Sequence, residues 1–207
     1  MNVQKLKVKL AAHYCLDAID GIYESSLQME SKIKHEIRKR EDEIRANSSL
    51  DSNEMNYLLG SLDDELFYTK ITTELAGEMM IIALYKTIEI AILKMATASE
   101  LFTPAQLKSF FRMSDLKKHL NNKICNIKTL QHYLAYDELR LINNAIKHSG
   151  VVKKELAAYA EFKFKKGQKL KDLHNHYYRL RNNVDRFLLS LQDRIITAIS
   201  TKHELDS

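Results

Sequence analysis

The sequence contains little of what builds turn-rich or cross-linked folds. Its 207 residues include one proline, five glycines, no tryptophan and two cysteines. Proline and glycine form the turns of sheet proteins, so their scarcity favours helices. Cys15 and Cys125 lie far apart and match no CxxC or zinc-ligand spacing. We therefore expect buried thiols, with neither a disulfide framework nor a metal centre.

Uninterrupted apolar runs are also missing. The most apolar stretch, residues 72–99, contains five charged side chains: Glu74, Glu78, Lys86, Glu89 and Lys94. A lipid-exposed helix does not tolerate charges at that frequency, whereas a bundle helix buried on most sides does. The first twenty residues mix lysines with Asp17 and Asp20, which is unlike a signal peptide. We expect a cytoplasmic protein without a membrane segment.

Helical patterns follow one another along the chain, and no linker rich in Pro, Gly or Ser divides it. The last pattern repeats large apolar residues at near-heptad spacing: Leu173, Tyr177, Leu180, Val184, Phe187 or Leu188, Leu191 and Ile195. Other helices are predicted within 3–47, from Asp51–Glu54, over 72–99, after Thr103-Pro104 and over 127–148.

The sequence thus predicts one all-α domain over residues 1–207, an up-and-down bundle of about five to seven helices. Only residues 160–170 break the helical pattern. Their alternation around Gly167 predicts a short hairpin or an irregular loop.

The end of the helix predicted over 127–148 combines several polar groups. On a helical wheel with about 100° per residue, the core-facing arc holds Leu139, Leu141, Ile142, Ala145 and Ile146. The opposite arc suits a phosphate, with His148 at its edge, and it holds Asp137, Arg140, Asn143, Asn144 and Lys147. Asn, Lys, His and the following Gly150 are also common helix stop signals that need no function.

The segment ELRLINNAIKHSG resembles the helix that carries the Arg-to-His motif of HEPN-domain proteins, many of which are metal-independent ribonucleases. The likeness covers residues 137–150. It implies a HEPN-like fold and a homodimer in which Arg and His of two protomers form one composite site, where the ribose 2′-OH attacks RNA. Arg140 would contact the scissile phosphate, His148 would transfer a proton, and Asn144 would assist as a polar group.

The resemblance also implies a substrate, partners and a biological setting. The chain would be an RNA-cleaving toxin or phage-defence effector without a cofactor, and its partner would be an antitoxin or another defence protein. From the polar arc and the basic residues that follow the motif, we expect Asn143, Lys147, Lys153 and Lys154 to bind substrate. The basic stretch that follows, which contains Phe162 and Phe164, is either an RNA track or a solvated loop.

The motif differs from the family pattern at two points. Leu141 follows Arg140, where a polar residue is usual, and seven residues separate Arg140 from His148, more than the family pattern has. Eight helical steps place the two Cα atoms about 12 Å apart. Three explanations remain open: a two-fold partner supplies Arg140, Lys147 or Asn144 replaces it, or the site is a non-catalytic relic.

Two alternative functions follow. A relic site would make the chain a helical module that binds RNA or a protein. A structural adaptor would instead bind its partner through the charged face of residues 31–47.

Two further features carry predictions. Glu138 falls within the apolar arc, so we expect an Arg, Lys or Tyr partner from a neighbouring helix, or else a local twist or a water-filled gap. His174-Asn175-His176 is predicted to lie on a helix surface.

Overall fold

The computed structural model describes residues 3–159, 161 and 163–205, and over these residues it contains helices and no strand. The predicted all-α bundle is therefore confirmed. The α-helices are α1 (Val3–Ala11), α2 (Asp17–Ala46), α3 (Ser52–Ala98), α4 (Pro104–Lys108), α5 (Met113–Lys123), α6 (Tyr133–His148), α7 (Lys154–Ala157) and α8 (Leu173–Leu205). Because α4 and α7 have only five and four residues, six longer helices build the fold.

Side-chain caps explain where two helices begin. Asp51 accepts hydrogen bonds from the first turn of α3, and the Glu54 carboxylate accepts one from the Asp51 N–H. Thr103 and Gln106 form the same reciprocal pair at the start of α4, with Pro104 in its first turn. Both starts agree with the sequence prediction.

Two predicted segments are divided in ways that the sequence does not reveal. The first contains both α1 and α2, separated by residues 12–16. The segment predicted as one helix over 127–148 is a 3₁₀ turn, Ile127–Thr129, followed by α6. His132, directly before α6, has a positive φ of 58°, which interrupts the helix between the 3₁₀ turn and α6.

The core lies around the C-terminal half of α3, which packs against α1, α6 and α8. The near-heptad residues predicted for α8 are all buried, as expected: Leu173, Tyr177, Leu180, Val184, Phe187, Leu188, Leu191 and Ile195. Phe187 stacks on Tyr136 of α6 with ring centroids 4.5 Å apart. This contact fixes α6 against α8.

Most of α2 and the N-terminal half of α3 form a two-helix arm. The two helices pack chiefly on each other, around Ile37 and Leu62. The charged face predicted for residues 31–47 lies on this arm, with helical ion pairs such as Arg45–Glu41 at 2.7 Å. Within the described part of the chain, no helix is long and apolar enough to cross a bilayer.

Candidate functional site

Helix α6 ends at His148 in the predicted glycine cap. The N–H groups of Ser149 and Gly150 both donate to the Ala145 carbonyl, at 3.0 and 2.8 Å. Gly150 has a φ of +62°, which glycine adopts without steric cost. Because the chain turns away here, the side chains of Lys147 and His148 remain exposed to solvent.

The loop of residues 163–171 is fastened to this helix end by backbone hydrogen bonds. The N–H of Val152 donates to the carbonyl of Gln168 at 2.9 Å, and the N–H of Leu170 donates to the carbonyl of Gly150 at 2.8 Å. These bonds hold a lysine-rich loop beside His148.

The region predicted as a hairpin or a loop is an irregular loop. Its described residues form a single antiparallel bridge, between Val151 and Lys169. Phe164 packs against the core, with its ring 5.7 Å from the ring of His176. Phe162, the other aromatic residue predicted to accompany the lysines, lies outside the described residues. Phe164 is therefore engaged in packing and is not presented for base stacking.

The surface of residues 147–172, here called the basic surface, carries the excess charge of the protein. This segment has eight lysines and three carboxylates, a formal charge of +5 that equals the net charge of the whole chain. The lysines are all exposed: Lys147, Lys153, Lys154, Lys163, Lys165, Lys166, Lys169 and Lys171. An anionic partner is attracted to this surface in preference to the rest of the molecule.

Arg140 does not join the basic surface. Its guanidinium forms an ion pair with Asp137 on the same helix, with nitrogen–oxygen distances of 2.8 and 2.9 Å, and only 19% of its side chain is exposed. The other oxygen of Asp137 accepts a hydrogen bond of 2.8 Å from the Tyr159 hydroxyl. The geometry of α6 keeps the Cα atoms of Arg140 and His148 about 12 Å apart.

The ionisation of Asp137 reflects these contacts. Burial alone would raise its pKa, but the hydrogen bond from Tyr159 and the positive charge of Arg140 outweigh burial and hold the pKa below its usual value. Asp137 is thus a carboxylate at neutral pH and a firm partner for Arg140. Asp137 and Arg140 are three residues apart on one helix, so their ion pair could be predicted from the sequence. The sequence contains no pattern that predicts the hydrogen bond from Tyr159.

The placement of Asn143 on the exposed arc is wrong. Asn143 is only 1% exposed, and its amide nitrogen and oxygen have no hydrogen-bond partner among the described residues. The wheel assumed one buried arc, but α6 packs on both α3 and α8, so its buried arc is wider. Asn144 is half-buried and Lys147 is exposed, so these two remain accessible to a ligand.

The predicted partner of Glu138 is present. Glu138, 3% exposed, binds the guanidinium of Arg179 on α8 through both carboxylate oxygens, one of them at 3.1 Å. Arg179 also binds Glu161 at 3.0 Å, at the start of the segment that leads into the basic loop. The pair therefore joins α6, α8 and this segment.

The prediction that His174-Asn175-His176 lies on a helix surface is wrong for His176. Its ring is buried and its Nδ1 lies 3.2 Å from the Arg179 guanidinium. Burial, together with the charge of Arg179, lowers the pKa of His176 to about 4, so the ring is neutral at physiological pH. Across the described residues, no group of three or more His, Cys, Asp or Glu side chains is arranged to hold a metal ion.

The outward face of α3 carries an exposed apolar stripe, although the sequence predicts a helix buried on most sides over residues 72–99. Successive residues of the stripe are three, four or eleven positions apart, which is close to one or three helical turns. The stripe extends for about 54 Å along the helix. Their exposed fractions range from 40% to 78%, and they are Tyr57, Tyr68, Ile71, Leu75, Met79, Ile90 and Leu93. Exposed Ser61, Asp64 and Lys86 interrupt the stripe on the same face. Its densest part, from Tyr68 to Met79, is typical of a protein interface.

Comparison of the chain with models of protein families, with curated proteins and with solved structures finds no match.

Proposed function

We propose that the chain is a HEPN-like, metal-independent endoribonuclease that works as a homodimer. One observation carries the proposal: the lysine-rich loop is fastened by backbone hydrogen bonds to the helix end that presents His148. An exposed imidazole that can transfer a proton therefore lies next to a surface that attracts RNA phosphates. The resemblance of residues 137–150 to the Arg-to-His motif supplies the reaction class.

The chemistry needs one proton removed and one proton delivered. The ribose O2′ loses its proton and bonds to phosphorus while the bond from phosphorus to O5′ breaks, and O5′ then takes a proton. His148 serves one of these transfers, and solvent water serves the other. Lys147 and Asn144, on the accessible side of α6, stabilise the charge that develops on the phosphate oxygens.

The apolar stripe of α3 supports a dimer. Ile90 and Leu93 line the same cavity as Tyr136 of α6, so the stripe borders the helix that carries Arg140 and His148. Two copies that pair along the middle of this stripe, from Tyr68 to Met79, would bury exposed apolar surface and leave that cavity open. In such a dimer, Arg140 of one copy acts with His148 of the other, which removes the need for a short spacing within one helix.

The nuclease is tested by RNA cleavage in the presence of EDTA. We expect the purified protein to cleave RNA and His148→Ala to lower the rate by about 100-fold or more, because general acid–base catalysis typically contributes about 10² to 10⁴. His35→Ala is the matched control, since His35 is exposed on α2, and it should leave the rate unchanged. Equal rates for the wild type and His148→Ala would contradict the proposal, as would an inactive wild-type dimer.

The alternative is a non-catalytic module that binds RNA or a protein. The Arg140–Asp137 ion pair favours this non-catalytic module. In the motif, Arg140 would contact the scissile phosphate, but here its guanidinium binds Asp137 instead. This alternative predicts RNA binding that weakens as salt rises, survives His148→Ala and is lost on double charge reversal at Lys153 and Lys154. Binding of that kind without cleavage would favour the module.

A further inference from the structure

A cavity of about 210 Å³ opens between α3, the segment of α4 and α5, and α6. Apolar side chains line most of it: Ile90, Leu93, Leu107, Phe110, Phe111 and Met113. Polar groups come from Tyr85, Tyr136 and Glu89 within the cavity and from Lys86 and Lys108 at its rim. Few polar groups in an apolar cavity are typical of a small-ligand site, and this volume suits a group smaller than a drug molecule.

Glu89 retains acceptor capacity toward the cavity. The Tyr85 hydroxyl lies close to the Glu89 carboxylate and to the Tyr136 hydroxyl. The Lys86 ammonium lies 3.8 Å from the carboxylate, beyond hydrogen-bonding distance. A carboxylate has about four acceptor positions, so a ligand with two donors finds acceptors here. Since 27% of the Glu89 side chain is exposed, a ligand reaches it from solvent.

We propose that this cavity binds the base of a guanine nucleotide, whose N1–H and N2 amino group donate to the two oxygens of Glu89. Guanine presents two adjacent donors on its pairing edge. Adenine and cytosine present an amino group beside a ring acceptor, and uracil presents one N–H between two carbonyls, so a carboxylate discriminates against all three. The walls of the cavity provide aromatic surface for the base in Phe110 and Phe111.

The rim of the cavity matches the rest of a nucleotide. Lys86 and Lys108 line it and are exposed, which supplies cations for a phosphate. The inference rests on the proposed function at one point, namely that the bound guanine belongs to an RNA strand. Tyr136 and His148 are twelve steps apart on α6, about 18 Å, so the bound base and the scissile phosphate would belong to different nucleotides of one strand.

The test is calorimetric titration of the full chain with GMP, AMP, CMP, UMP and inorganic phosphate. We expect GMP to bind about tenfold or more tightly than the other nucleotides, the discrimination expected of one bidentate pair. Glu89→Gln should abolish that preference, because an amide offers one acceptor in place of two. Glu74→Gln, which changes an exposed carboxylate on the same helix, should retain the preference.

Three results would overturn the proposal: equal binding of the four nucleotides, no binding at millimolar concentration, or an unchanged preference in a folded Glu89→Gln protein. Phe111→Ala, at an exposed rim position, should weaken binding of GMP and leave the fold intact. Preferential GMP binding by a chain that does not cleave RNA would contradict the nuclease and support the cavity. RNA cleavage by a chain that shows no preference for GMP would support the nuclease and contradict the guanine site.

Discussion

At the scale of single residues, burial decides which charges matter. Arg179 binds two carboxylates at hydrogen-bonding distance, but the side chain of Glu138 is 4% exposed and that of Glu161 is 71% exposed. The Glu138 contact also uses both carboxylate oxygens, whereas the Glu161 contact uses one. Removing the charge of Glu138 leaves a half-buried guanidinium without its main partner, whereas water replaces Glu161 easily.

Two matched substitutions test this difference. We expect Glu138→Gln to lower the free energy of unfolding by about 2 to 3 kcal/mol, as for a charged hydrogen-bond partner lost from the interior. Glu161→Gln should change it by less than about 1 kcal/mol, as for an exposed ion pair. Urea denaturation of both variants measures the two values, and similar losses would show that exposure does not control these contacts.

His176 gives the protein a defined response to acid. Its folded pKa of about 4 lies below the ordinary value of 6.5, so the unfolded chain binds a proton more readily than the folded one. Stability from this residue is therefore complete above pH 6.5 and is lost as pH falls from 6.5 toward 4. We expect His176→Gln to reduce the drop in urea midpoint between pH 7 and about pH 5, and His35→Gln to leave it unchanged. An identical drop in wild type and His176→Gln would contradict this assignment.

At the scale of helices, features that depend on neighbouring residues could be predicted from the sequence, and features that depend on tertiary contacts could not. Helix starts were predictable because Asp51 and Thr103 cap their own helices through side chains a few residues away. The separation of α1 from α2 was not. The first turn of α2 is held by a distant contact, in which Asp20 accepts hydrogen bonds from Tyr177 and Arg181 of α8 at 2.7 and 2.6 Å. No pattern near Asp20 indicates that contact.

The same limits apply to the candidate site. The glycine cap and the exposure of Lys147 and His148 followed from the sequence, because both depend on local conformation. The burial of Asn143 did not, because it depends on helices that pack from two sides. Neither did the attachment of residues 163–171 to the end of α6, which requires backbone pairing across an irregular segment.

Two glycines test the helix end with the same substitution. Gly150 has a positive φ and Gly60 lies within α3, and an added Cβ meets no atom within 4 Å at either position. Gly150→Ala should destabilise the protein by about 1 to 2 kcal/mol, because an L-residue is strained in the left-handed region. Gly60→Ala should stabilise it by roughly 0.5 to 1 kcal/mol through helix propensity. Thermal unfolding reports both signs, and stabilisation by Gly150→Ala would contradict the cap.

At the scale of the whole molecule, charge and apolar surface are separated. The excess positive charge is concentrated in residues 147–172, and the exposed apolar side chains of the stripe follow the outer face of α3. We infer that the first attracts an anionic chain and the second a second copy of the protein. The composite site that we propose needs both surfaces, because the geometry of α6 keeps Arg140 and His148 about 12 Å apart within one chain.

The most direct measurement mixes two inactive variants, His148→Ala and Arg140→Gln, at equal concentration and allows their subunits to exchange. In a composite site, a mixed dimer keeps one site with intact Arg140 and intact His148, so RNA cleavage should return to about a quarter of the wild-type rate. Adding Leu75→Glu to both variants should prevent the recovery by placing charge in the apolar stripe. A mixture as inactive as its components, under conditions where sedimentation shows mixed dimers, would contradict the account.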